Sequence, residues 1–155
     1  MNTLIVYTSK YGSVEECVKY LYDNIIGNVT VLNIKNKEII SLNEFDNIII
    51  GGSIYIGKIS KELSAFCADN LDQLLQKKVA LFLCCALSEQ FLEFVNNFPL
   101  ELVQHACVIK HFGSETRLER MSFLDKTIIK AVTKNDFSNF KLIKANIDEL
   151  IQEFV

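Results

Sequence analysis

The sequence is poor in the residues that interrupt secondary structure and in those that build metal or disulfide sites. Its 155 residues include one proline, six glycines, two histidines and no tryptophan. Two histidines are too few for histidine-based metal chemistry. The five cysteines lie in apolar segments and contain no Cys-x-x-Cys pair, so neither a disulfide framework nor a zinc site is indicated. We expect them to be reduced, buried hydrophobic side chains.

Long apolar runs are also missing. The longest, Val79–Leu87, is far short of the ~18 residues that a membrane-spanning helix needs. The first residues, Met1–Val6, lack the basic flank and the extended apolar stretch of a signal peptide, so we expect a cytoplasmic protein. A hydrophobic share of 50% with 23% charged residues is typical of a folded soluble chain. The length fits a single domain over residues 1–155.

The net charge of −3 argues against nucleic acid as a partner, but the charge is unevenly distributed. Segment Lys110–Lys134 holds six basic and three acidic residues, a net charge of +3, which leaves −6 for the rest of the chain. Lys126, Lys130 and Lys134 recur at helical spacing beside an apolar stripe. Such a helix either packs on the sheet with its lysines in water, or contacts an acidic partner or a membrane surface peripherally.

Five short apolar runs predict β-strands that are buried on both faces. They do not alternate apolar with polar residues, which favours a parallel sheet covered by helices. The runs are Leu4–Tyr7, Val29–Leu32, Ile48–Ile50, Val79–Cys84 and Ala106–Ile109. We place both histidines, His105 and His111, on the last of these strands.

Segments with the period of an α-helix separate the strands. The first covers Val14–Ile25 and stops at Gly27, and the others cover Leu63–Leu74, Phe91–Val95 and Phe140–Phe154. This alternation predicts a doubly wound α/β fold, a five-stranded parallel sheet of order 2-1-3-4-5. In such sheets a ligand binds outside the carboxyl ends of the strands, at the topological switch point between strands 1 and 3.

Three loops are expected at that edge. Tyr7–Ser13 brings hydroxyls to a helix N-terminus, where they bind an anion such as phosphate or simply cap the helix. It matches neither G-x-x-x-x-G-K-[ST] nor G-x-G-x-x-G, which argues against a nucleoside triphosphate and a dinucleotide. Gly51–Lys58 is either a glycine-rich turn or a cover for a planar ligand. Cys84–Ser88 follows the fourth strand and lines the other side of the same place.

Two of these loops resemble the flavodoxin-like FMN-binding domain. The residues that carry the resemblance are Tyr7-Thr8-Ser9-Lys10-Tyr11-Gly12-Ser13 and Ile50-Gly51-Gly52-Ser53-Ile54-Tyr55-Ile56-Gly57-Lys58. Within the family, Gly52–Lys58 and an extra helical segment before the last helix, at about 113–135, resemble one branch. That branch includes the menaquinone-dependent protoporphyrinogen dehydrogenases. The resemblance covers nearly the whole chain.

The resemblance implies that FMN is the cofactor and that the three loops hold it. The phosphate would be bound by Thr8, Ser9, Lys10, Tyr11, Gly12 and Ser13. The isoalloxazine would be flanked on one side by Ser53, Ile54, Tyr55, Ile56, Gly57 and Lys58, and on the other by Cys85 and Ala86. The chain departs from the family at Val14, where flavodoxins usually have a hydroxyl side chain. It also has no tryptophan to stack on the flavin.

The function implied is that of an FMN-binding redox protein that carries electrons between partners. The partner is a redox protein or a small molecule of quinone or porphyrin type. One alternative is a quinone-linked dehydrogenase of the same fold that oxidises a porphyrinogen. Val14 keeps a second alternative open, a binding module of this fold that has lost FMN. The sequence offers no Ser-His-Asp set and no nucleophilic cysteine with a positioned histidine, so we assign no acid–base catalyst and no metal site.

Overall fold

A five-stranded parallel sheet forms the centre of the protein. The computed structural model describes residues 1–10, 13–38, 40–85, 88–113 and 142–154. The strands are β1 Asn2–Thr8, β2 Asn28–Asn33, β3 Asn47–Ser53, β4 Lys78–Cys84 and β5 Val108–His111. Their order is β2-β1-β3-β4-β5 and every neighbouring pair is parallel, which confirms the predicted fold class.

Helices cover both faces of this sheet. In the described ranges they are α1 Ser13–Asn24, α2 Lys61–Asp69, α3 Leu71–Leu74, α4 Phe91–Phe94, α5 Leu100–His105 and α6 Lys144–Phe154. Short 3-10 turns lie at Ile34–Asn36, Leu42–Glu44, Ser88–Gln90 and Val95–Asn97. None of the helices in these ranges combines the length and apolar character needed to cross a membrane.

The sheet separates two hydrophobic layers. Successive side chains of a strand point to opposite faces, and β1 shows this directly. Leu4 belongs to the layer that contains Leu63 of α2, whereas Ile5 belongs to the layer that contains Leu21 of α1 and Leu150 of α6. All five side chains are fully buried. The unbroken apolar runs of β1, β3 and β4 are therefore explained by burial on both faces, as predicted. For the run Val29–Leu32 that prediction is wrong, because β2 is an edge strand and its Val31 is exposed.

The helices differ from the prediction in two places. The stripe Leu63–Leu74 forms two helices, because Asn70 ends α2 and its side-chain Nδ2 donates to the carbonyl of Phe66 at 2.9 Å. The chain also re-enters a helix directly after Pro99, which we did not predict. Proline is compatible with a helix start, because its missing N–H has no intrahelical partner there.

The last strand lies further along the chain than predicted, at Val108–His111. His105 is the final residue of α5, and its ring Nε2 lies 2.6 Å from the carbonyl oxygen of Lys77. The prediction that both histidines lie on one strand is therefore wrong, because α5 carries the chain through position 105 before β5 begins.

The cysteines are free thiols, and four of the five are buried. The sulfurs of Cys17 and Cys84 lie 3.7 Å apart between α1 and β4. This contact with Cys17, together with burial, raises the pKa of Cys84. Cys107 is exposed, so the expectation of a buried side chain is wrong at that position.

The basic helix predicted around Lys126, Lys130 and Lys134 lies outside the described residues. The same holds for most of the extra segment predicted at about 113–135, and for the beginning of the stripe predicted over Phe140–Phe154. Those expectations stay predictions.

Gly51 is needed by the packing of the two central strands. A Cβ at this position would overlap the ring of Phe82, which lies on the adjacent strand β4. Phe82 is fully buried and stacks on Phe112, with ring centroids 4.6 Å apart. The absence of a side chain at Gly51 thus makes room for an aromatic layer inside the fold.

We expect Gly51→Ala to lower the free energy of unfolding by ~1–3 kcal/mol, the usual cost of overpacking a core. Phe82→Leu removes the ring that the new methyl group would meet. In urea denaturation, the double variant should therefore lose less stability than the two single variants summed. Additive losses would show that the methyl group does not meet the ring.

Candidate functional site

The loops that follow β1 and β3 meet at the carboxyl edge of the sheet. In the register of these strands Thr8 lies opposite Gly52, so the chain leaves both strands at the same level. A cavity of about 530 Å³ opens between the two loops. This size is typical of small-molecule and cofactor sites.

The cavity is lined by the loop after β1, which we call the first loop, by the 3-10 turn after β2, by the loop after β3, which we call the second loop, and by the start of α2. Seven of them belong to the predicted site: Thr8, Ser9, Lys10, Ser53, Tyr55, Ile56 and Lys58. Five were not predicted: Lys35, Ile59, Ser60, Lys61 and Glu62. The two loops singled out in the sequence are thus brought together around one space.

The remaining predicted residues lie elsewhere or outside the description. The described ones that are not among the lining residues are Ser13, Ile54, Gly57 and Cys85. Tyr11, Gly12 and Ala86 lie outside the described residues. Cys85 is buried, and burial raises the pKa of its thiol to about 12. At neutral pH this thiol is protonated, which makes it a poor nucleophile.

Hydrogen bonds of Ser60 connect Thr8, at the start of the first loop, to the start of α2. The Ser60 hydroxyl donates to Oγ1 of Thr8 at 3.2 Å, and Oγ of Ser60 accepts the backbone N–H of Leu63 at 3.1 Å. Ser60 is thus the N-cap of α2 and a positioning partner of Thr8. A serine just before an apolar helical stripe is a recognisable N-cap signal, and it would have identified this residue.

Two lysines join the first loop to its neighbours. The ammonium of Lys10 lies 3.2 Å from the ring centroid of Tyr55, a cation–π contact that joins the first loop to the second. Lys35 donates to the carbonyl oxygen of Ser9 at 3.3 Å from the 3-10 turn after β2. Since β2 pairs with β1, the strand order itself predicts that this turn reaches the same edge.

The second loop contains a tight turn over Tyr55–Lys58. The N–H of Tyr55 donates to the carbonyl of Lys58 at 2.9 Å, and the N–H of Lys58 donates back at 3.1 Å. Its central residues, Ile56 and Gly57, have φ values of 50° and 76°, as in a type I′ turn. Glycine adopts this conformation freely, but a β-branched side chain such as that of Ile56 is strained there.

Asn97, the last residue of the 3-10 turn after α4, fixes the tight turn of the second loop through its side-chain amide. Its Nδ2 donates to the carbonyls of Gly57 at 3.0 Å and of Phe94 at 2.9 Å, and its Oδ1 accepts the N–H of Ile59 at 3.3 Å. The bonds to Gly57 and Ile59 hold the backbone directly after the strained Ile56 and resist its relaxation. No local pattern in the sequence pointed to Asn97, because its partners in the turn are about forty positions away.

The loop after β4 is held by the neighbouring strand. Nε2 of His111 lies 3.2 Å from the carbonyl oxygen of Cys85, and the imidazole packs on Phe91 with ring centroids 5.4 Å apart. Burial lowers the pKa of His111, although the bond to the Cys85 carbonyl partly opposes this. The ring is therefore neutral at neutral pH.

The chemistry offered by the cavity is that of binding an extended, partly anionic molecule. Thr8, Ser9 and Lys10 offer hydroxyls and a positive charge on the first loop, whereas Tyr55 and Ile56 offer aromatic and apolar surface on the second. Among the described residues, no group of three or more side chains is placed to hold a metal ion.

A sheet of this order, with a cavity between the loops after its first and third strands, defines the flavodoxin-like class of α/β proteins. The chain matches the flavodoxin domain family over residues 4–140 and belongs to that family. The prediction of a flavodoxin-like, FMN-binding redox protein is thereby confirmed. No curated protein sequence matches the chain.

Solved structures show the same fold at low sequence identity. A WrbA-like flavodoxin from Agrobacterium tumefaciens has a TM-score of 0.57 and 16% identity, and the match covers 98% of either chain. A flavodoxin from the domain Archaea has a TM-score of 0.54 and 15% identity over 85% of this chain and 93% of its own.

The chain is also similar to one part of a longer protein. Rubredoxin oxygen:oxidoreductase from Desulfovibrio gigas matches 97% of this chain with a TM-score of 0.55 and 12% identity, but the match spans 36% of that protein. At these identities the likeness shows the fold alone.

We expect Ile56→Asn to raise the free energy of unfolding by ~0.5–1 kcal/mol, because asparagine tolerates the left-handed conformation better than isoleucine. Ile56 is 65% exposed, so little apolar burial is lost. Ile26→Asn is the matched control, since Ile26 is 82% exposed and has no positive φ. Equal changes in urea denaturation would show that backbone strain at Ile56 is negligible.

The lowered pKa of His111 predicts a loss of stability in mild acid. Below about pH 6.5 the unfolded chain binds a proton at this histidine more readily than the folded chain does. The free energy of unfolding therefore falls with pH down to the folded pKa. His111→Gln removes this contribution. In urea denaturation, the difference in the free energy of unfolding between wild type and the variant should therefore be smaller at pH 5 than at pH 7. A difference that grows in acid would contradict the lowered pKa of His111.

Proposed function

We propose that the chain binds FMN in the cavity between its first and second loops and carries electrons between redox partners. The observation that supports this is the convergence of seven predicted residues on one cavity at the switch point of the sheet. FMN supplies the redox chemistry when bound, and the protein's part is to bind and orient it.

The first loop fits the phosphate. Helix α1 is twelve residues long and begins at Ser13, so its N-terminal N–H groups and dipole favour an anion. Lys10 and Lys35 line the same cavity and add two positive charges. A phosphate monoester carries about two negative charges at neutral pH, which these lysines would balance.

Val14 serves the core and not the ligand. It is fully buried in the layer between α1 and the sheet, with Ile5 and Leu21 in the same cluster. The hydroxyl that this position usually supplies is therefore replaced by hydrophobic packing. We infer that the lysine charges take over its contribution to phosphate binding, which favours retention of FMN over the module without cofactor.

The second loop fits a planar ring. Tyr55 and Ile56 present aromatic and apolar surface toward the cavity, and Ser53 adds a polar group. No atom lies within 4 Å of the position that a Cβ of Gly57 would take, so the outer side of the turn is open. In this proposal Tyr55 and Ile56 cover the isoalloxazine, and Asn97 holds them in place through the turn.

Three narrower proposals, on the branch of the family, membrane contact and location, have support from the sequence alone. The quinone-linked, porphyrinogen-oxidising alternative and its branch of the family are supported by the sequence resemblance alone. Membrane contact through the lysines of Lys110–Lys134 is supported by their helical spacing alone. Cytoplasmic location is likewise a proposal. An electron carrier that docks a redox partner is the function that the described cavity supports best.

The proposal is tested first by the absorbance of the purified protein. Flavin bands in the blue, with FMN released on denaturation, are expected. A colourless protein that does not take up added FMN would favour the binding module.

Residues that bind the phosphate should distinguish FMN from riboflavin, which lacks it. We expect Ser9→Ala and Lys35→Gln each to weaken FMN binding by ~1–2 kcal/mol, the scale of a hydrogen bond to a charged group. Riboflavin affinity should stay unchanged. Titration followed by flavin fluorescence measures both.

Lys19→Gln is the matched control for the change in charge. Lys19 lies on α1, pairs with Asp23 at 2.7 Å and does not line the cavity. Its replacement should leave both affinities unchanged. If the Lys35 variant loses equal affinity for FMN and for riboflavin, this lysine does not bind the phosphate.

A further inference from the structure

Four lysines surround the cavity, and we call this set the basic mouth: Lys10, Lys35, Lys58 and Lys61. All four are exposed, and Glu62 is the one acidic residue among the described lining residues. The whole chain carries −3, so the positive charge is a local property of this edge. Charges farther away are screened, since the Debye length is ~8 Å at physiological salt.

The basic mouth has more positive charge than a phosphate needs. Lys10 and Lys35 lie with the first loop, as the contact between Lys35 and Ser9 shows. Lys58 and Lys61 come from the second loop and the start of α2, and neither forms an ion pair within the described part of the chain. With a bound phosphate balanced by the first pair, the second pair still faces solvent.

An exposed apolar side chain lies among these charges. Ile56 lines the same cavity, is 65% exposed and is held outward by the turn that Asn97 fixes. An apolar centre with a charged rim is the usual anatomy of a protein–protein interface. In the proposed function one part of Ile56 covers the isoalloxazine. A second, small anion would make no use of the apolar surface that stays exposed, which favours a macromolecular partner.

We infer that the basic mouth docks a redox protein with an acidic surface around its own redox centre. This rests on the proposed function, because the partner exchanges electrons with FMN in the same cavity. Complementary charge steers such partners together and orients them. With a one-electron acceptor the redox step would balance as follows: two-electron-reduced FMN would supply one electron to each of two ferric haems, and the two protons from N1 and N5 would pass to water.

Two haem proteins of opposite charge test the inference. The FMN-loaded protein is reduced and mixed by stopped flow with ferric cytochrome b5, which is acidic, or with ferric cytochrome c, which is basic. We expect the rate with cytochrome b5 to fall as salt rises from ~10 to ~300 mM, and the rate with cytochrome c to rise. The opposite pair of slopes would overturn the inference.

A charge reversal locates the docking site. Lys61→Glu should slow the reaction with cytochrome b5 about fivefold at low salt, and the difference should vanish at high salt. Lys78→Glu is the matched control, because Lys78 begins β4 and so lies at the opposite edge of the sheet. Equal effects of the two variants would show that total charge, and not the basic mouth, controls the rate.

The outcomes separate the docking inference from the proposed function. Absorbance reports FMN occupancy in every sample, and a protein without FMN overturns both. An FMN-loaded protein whose rates do not depend on salt overturns docking alone. Sedimentation with phosphatidylserine vesicles is the last arm: if wild type binds them and Lys61→Glu does not, the basic mouth belongs to a membrane surface and the inference fails.

Discussion

The parallel pairing of β1 with β3 is the constraint on which the rest of the site depends. Thr8 lies opposite Gly52, so two loops that are more than forty residues apart in the chain leave the sheet together. A shift of one residue would also exchange the faces on which Leu4 and Ile5 are buried, since strand side chains alternate. The hydrophobic layers that fix this register therefore also fix the level at which the two loops leave the sheet.

In the turn over Tyr55–Lys58, the geometry of the candidate site overrides the backbone preference of a residue. Isoleucine in the left-handed region conflicts with its own conformational preference, by roughly 1–2 kcal/mol. The hydrogen bonds of Asn97 to Gly57 and Ile59 oppose this strain from a distant segment. Conflicts of this kind concentrate at functional sites, where the required geometry outweighs local stability.

Burial could be read from the sequence, whereas long-range hydrogen bonding could not. Apolar runs such as Ile48–Ile50 predicted the strands, because burial on both faces leaves a continuous signature. The alternation of these runs with helical segments predicted the strand order. The seven cavity residues followed from the loops after the first and third strands. Asn97 left no signal, since its role depends on partners such as Gly57 far along the chain. Lys35 was missed although the order of β2 and β1 implies its place.

The net charge of the whole chain does not describe the surface that a partner meets. A value of −3 for the chain describes its behaviour at distances well beyond the Debye length. A docking partner instead meets the few charges within ~8–10 Å of the contact, and at the cavity these are lysines such as Lys58 and Lys61. The sheet is what gathers them: β2 and β3 flank β1, so the segments that follow them carry their lysines to one edge. The sign of the electrostatic field at the cavity is thus set by the strand order, which the net charge of the chain does not reveal.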